Sequence, residues 1–117
     1  PRIEADASGE TQVQELHKKT LKRLLDANVN VAMGSDDSQR TLRMELNYWF
    51  GLGGMDDAST LKVLCENTPR AIFPKRKIGK IENGYEASFL VLADNPFNNV
   101  LKTRVQEFKV KNGVILK

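Results

Sequence analysis

The sequence predicts an α+β chain, helices first and a small antiparallel β unit after them, on three observations. Apolar residues recur at helical spacing in most of residues 11–73, the period changes from 3.6 to 2 after Pro74, and Asn112-Gly113 marks a hairpin near the C-terminus. With 117 residues, 40% hydrophobic and 28% charged, the chain has the composition of one soluble globular domain. Folding at this size buries about two-thirds of the extended surface, enough for a core. No apolar run approaches the roughly 18 residues of a membrane span and no signal-peptide pattern opens the chain, so a cytoplasmic protein without a membrane partner is expected. One cysteine, Cys65, excludes an intramolecular disulfide and a cysteine zinc cluster. One histidine, His17, has the larger consequence: chemistry that needs several imidazoles is not assembled from a single copy of the chain.

The elements follow in order. Residues 1–10 read as irregular and polar. From Thr11 to Ala27, Val13, Leu16, Leu21, Leu24 and Leu25 form an apolar stripe opposite a Lys18/Lys19/Lys22/Arg23 face, with His17 as a boundary residue. Asn28 ends this helix, and Val29 to Met33 reads as a short β-branched strand that stops at Gly34-Ser35-Asp36-Asp37-Ser38. Helix, turn, strand and loop make half of an alternating α/β pattern.

A second helix is expected over 39–50, burying Leu42, Leu46, Trp49 and Phe50 and stopped by Gly51-Leu52-Gly53-Gly54. Asp56 or Asp57 caps a third, which carries Leu61, Leu64 and a buried, inert Cys65. Thr68-Pro69 then reads as an N-cap with a proline in first helical position. Beyond Pro74, residues 77–81 read as a short extended piece and Asn83-Gly84 as a turn. Ala87 to Ala93 reads as a strand buried on both faces, and residues 104–110 as the strand that enters the hairpin. The subdomain boundary is placed at Pro74, giving units 1–73 and 74–117.

Charge divides along the same line. Residues 1–73 hold nine basic and eleven acidic residues, while 74–117 hold nine and four, with the densest cluster at Lys75-Arg76-Lys77 and Lys80. Clustered cations can contact phosphate. With no aromatic interleaved and no DNA- or RNA-binding signature, a solvated loop is the better reading and no nucleic-acid partner is expected.

The candidate chemistry sits at Gly34-Ser35-Asp36-Asp37. Asp and Ser after a strand commonly cap the next helix. At the C-terminal end of a parallel barrel strand, however, a carboxylate faces the usual active-site rim, where it can ligate a metal and take a proton. Side chains alternate along a strand, so only one of Asp36 and Asp37 faces a barrel axis.

Four stretches, in this order, carry a resemblance: Leu21 to Asp36, ending Val29-Asn30-Val31-Ala32-Met33-Gly34-Ser35-Asp36; Thr68-Pro69-Arg70-Ala71-Ile72-Phe73; Ile78 to Leu92; and Val110 to Leu116. Together they resemble the C-terminal end of metal-dependent amidohydrolases of the imidazolonepropionase-like group. The resemblance implies that residues 1–73 are the last strand and helices of a (β/α)8 barrel. It makes 74–117 the C-terminal strands of a β-sandwich that also uses strands from the enzyme's N-terminus. It assigns Asp36 a double role, as metal ligand and as the catalytic group in proton transfer. The intact enzyme would hold a divalent metal, zinc first, and hydrolyse C–N bonds in a small-molecule substrate.

The other ligands of that family are histidines, with a lysine or acid, on earlier strands. His17 matches none of them, so no metal is expected on this chain alone. Ser88 stands where many relatives carry aspartate. A lone barrel strand leaves edges open, so the expected partner is a second copy of the chain or a missing N-terminal chain. A non-catalytic assembly module is the alternative function. No substrate-binding residue is identifiable.

Overall fold

The computed structural model describes residues 7–36 and 42–116. Among these the chain is α+β: helices occupy the first part and a three-stranded antiparallel sheet the last.

Helix α1 runs Ala7–Asp26. Its end is set locally. Asn28 takes φ 59°, and the Asn28 and Val29 amides donate to the Leu25 and Leu24 carbonyls at 3.0 and 2.9 Å, the paired bonds of a Schellman motif. Leu21 is buried, whereas Val13, Leu16 and Leu24 stay exposed. The expected strand at 29–33 does not form: no ladder partner exists for it among the described residues. β-branched residues favour an extended backbone, but a strand also requires a neighbour to complete its hydrogen bonds. Met33 is nevertheless fixed, 2% exposed in the core, with its amide donating to Thr68 Oγ1 at 2.9 Å.

Helix α2 spans Leu42–Leu52. Of its expected core residues only Leu46 is buried. Trp49 packs partly against the core, and Leu42 and Phe50 are exposed. The predicted start at 39–41 lies outside the described residues. Helix α3, Asp57–Lys62, is capped by Asp56, whose carboxylate accepts from the Ser59 amide at 2.7 Å. That hydrogen bond, first, holds the Asp56 carboxyl below its ordinary range.

Thr68 is not an N-cap. Helix α3 continues through a π-helical turn, Val63–Asn67, directly into α4, Thr68–Ile72. Pro69 accounts for the widening, because it has no N–H to give the Cys65 carbonyl four residues earlier and its ring crowds that carbonyl. Thr68 instead works inside the helix: its hydroxyl donates to the Val63 carbonyl at 2.7 Å while accepting from Met33. Thr68→Val removes both bonds at constant shape and leaves a buried amide unpaired. The expected loss is about 1–3 kcal/mol in urea unfolding.

The sheet has order β1-β2-β3, with β1 Phe89–Leu92, β2 Gln106–Lys111 and β3 Val114–Leu116. Asn112 and Gly113 at φ 50° and 76° make the two-residue turn the hairpin requires. Its amides are tied back across the sheet, Gly113 to the Ala87 carbonyl at 2.8 Å and Asn112 to Ser88 Oγ at 3.1 Å. Strand β1 is not buried on both faces: Phe89 and Leu90 are exposed and Val91 and Leu92 half-buried. Residues 77–81 join no ladder.

A single small core joins these pieces. Met33, Leu46, Val63 and Val100 are buried together, the last from a 3₁₀ turn at Val100–Arg104 whose first amide donates to Asp57 Oδ1 at 3.0 Å.

Candidate functional site

Asp36 lies in the segment that follows α1. Met33, three residues earlier, is anchored in the core, so the backbone leading to Asp36 starts from a fixed point. The Asp36 side chain is exposed and makes no hydrogen bond or ion pair among the described residues. Ser35 beside it is half-buried. Asp37, its alternative, lies outside the described residues.

Among the described residues no group of three His, Cys, Asp or Glu side chains could hold a metal. His17 is on the exposed side of α1, where its Nδ1 lies 2.7 Å from the Tyr48 hydroxyl of α2 and the rings meet edge to face. It acts as a surface link between two helices. A catalytic zinc takes about three protein ligands, and the described residues do not fit one.

Cys65 departs from its sequence reading. It is exposed, and it lines a cavity of about 430 Å³ with Leu46, Leu61, Leu64 and Leu90 and a second of about 400 Å³ with Ile78, Phe89 and Leu92. The two share Leu61, Cys65, Leu90 and Thr103, and so make one apolar trough between the helical layer and β1. Surrounding protein, and then the Glu66 charge, push the thiol up, which keeps it protonated and a poor nucleophile at neutral pH.

Sequence reasoning missed two contacts that shape this region. One is Thr68 Oγ1, taken for a cap. The other is Gly79, at φ 95°, whose absent side chain lets the loop lie on the Cys65 carbonyl. A β-carbon there would overlap that carbonyl oxygen and stand 2.9 Å from its carbon. Thr-Pro inside an apolar helical pattern was the available signal for the first. The second is a long-range contact with no local signature.

The sequence profile of the amidohydrolase family matches residues 10–116, and the chain belongs to that family, whose members are generally metal-dependent. Ochratoxinase of Aspergillus niger is 28% identical over 86 residues, covering 72% of this chain and 18% of that protein. The same figures hold for the ochratoxinases of two named strains of the species. The match therefore spans less than a fifth of the length of these curated relatives. No solved structure matches the chain. No described helix is long and apolar enough to cross a membrane.

Proposed function

We propose that this chain is the C-terminal segment of an amidohydrolase that hydrolyses C–N bonds of amides, cyclic amides or small peptide-like compounds, and that it has no activity alone. The family match over 10–116 carries this reading, since it includes Gly34-Ser35-Asp36 and all three later stretches in one span. Residues 1–73 then belong to the barrel's last strand and helices, and 74–117 to the β-sandwich. Asp36 is this segment's catalytic carboxylate and its one contribution to the metal site. In hydrolysis a water oxygen bonds to the amide carbon, the C–N bond breaks, and a proton passes through the Asp36 carboxylate to the departing nitrogen.

The open edge of β1 and the apolar trough beside it support the incompleteness, since among the described residues neither is covered. They also favour the second reading, an assembly module that pairs with itself or with a separate N-terminal chain.

The test is a hydrolysis assay on the protein purified from its source cells. The panel holds small amides and cyclic amides together with ochratoxin, the compound that names the similar Aspergillus protein. Amide hydrolysis that is lost on chelation and restored by a divalent metal is expected; activity indifferent to chelation refutes the metal-dependent reading, and no hydrolysis of any panel member favours the assembly module.

A further inference from the structure

Glu66, Arg70, Arg76, Lys77, Lys80 and Tyr85 line a separate cleft of about 230 Å³ between the π-helical turn and the loop after α4. The cations there are unequally engaged. Arg76 is committed, since its guanidinium holds both Glu86 oxygens at 2.7 Å and lies 4.7 Å from the Phe73 ring centre. Arg70 and Lys80 both approach one oxygen of Glu66, but at 4.0 and 3.9 Å, beyond hydrogen-bond range. Lys77 and the Tyr85 hydroxyl have no partner among the described residues. With Glu66 and Glu86 set against four cations, the site retains two positive charges.

These donors are positioned by the fold. Pro69 has no N–H to give the Cys65 carbonyl, and Gly79 seats the loop on that carbonyl. The contact brings Lys80 to Glu66, and Lys77 is held by its carbonyl, which accepts from the Glu86 amide at 2.7 Å.

We infer that this cleft binds a small phosphate monoester, with the tetrahedral dianion taken by Arg70, Lys77, Lys80 and Tyr85. Two net positive charges match a dianion, and donors from separate elements suit a tetrahedral group better than a planar carboxylate, which one arginine satisfies. The cleft exceeds a bare phosphate, which leaves room for a short ester substituent. The inference does not depend on the hydrolase reading.

Equilibrium dialysis of the intact protein that carries these residues against inorganic phosphate, at constant ionic strength, tests it. One saturable site per chain is expected, weakened about tenfold or more in Arg70→Gln/Lys77→Gln and unchanged in Lys19→Gln/Lys109→Gln, which removes equal charge elsewhere. Lys77→Glu, on an exposed side chain with no described partner, gives the same loss without risk to folding. Unsaturable uptake, or equal weakening by the control pair, overturns the assignment and leaves only net-charge attraction.

Discussion

Gly79→Ala is expected to detach the loop 77–81 from the helical layer and to cost about 4 kcal/mol or more. Two effects combine. The residue sits at φ 95°, where any β-carbon is strained, and that carbon would overlap the backbone carbonyl of Cys65. The obstruction belongs to a helix already widened at Pro69, so no side-chain rotation relieves it. Thermal unfolding reads the loss, and trypsin reads its location, because Lys75, Arg76 and Lys77 become a fast cleavage site once the loop lifts. Gly84→Ala is the control. It also has positive φ, 87°, but open space around it, so about 1–2 kcal/mol from backbone strain alone is expected. Equal losses in the two variants would show that conformation, not the Cys65 contact, sets the cost.

Asp36→Asn carries the largest expected effect on activity. In the intact enzyme it should lower kcat by about 10²–10⁴, the range for losing a positioned acid or base. The amide keeps the size of the carboxylate and loses both its charge and its capacity to take a proton. Melting should not change, because Asp36 is exposed and bonds no described residue. Asp37→Asn provides the comparison, since it is the alternative carboxylate of the same motif. Full activity in Asp36→Asn with loss in Asp37→Asn would move the catalytic role by one residue.

What the sequence made legible is what short-range chemistry decides. The end of α1 follows from Asn28, which adopts left-handed φ with little penalty, and the hairpin from Asn112-Gly113. The start of α3 follows from Asp56, three residues before the amide it accepts from. Where tertiary neighbours decide, the reading failed. Val29 to Met33 has strand composition but no ladder partner among the described residues, and Phe89 and Leu90, from a run with the composition of a buried strand, remain exposed. Both departures point the same way. These segments are apolar enough for an interior that the described residues do not supply.

Cys65, Thr68 and Gly79 were misread or missed for a different reason. Their roles rest on contacts distant in sequence: Gly79 lies on the carbonyl of Cys65, fourteen residues earlier, and Thr68 accepts from Met33, thirty-five residues earlier. The candidate site was legible only as a motif. Gly34-Ser35-Asp36 has no periodicity or ligand spacing of its own, and resemblance singled it out. The structure adds an exposed carboxylate at the end of a core-anchored segment.

Native mass spectrometry of the protein purified from its source cells, with metal content read from the same masses, tests the central claim most directly. The expected result is these residues within a metal-bearing species larger than the 13.2 kDa of this chain, as a longer polypeptide or a complex with a second one. A metal-free 13.2 kDa monomer, folded and compact, would contradict it.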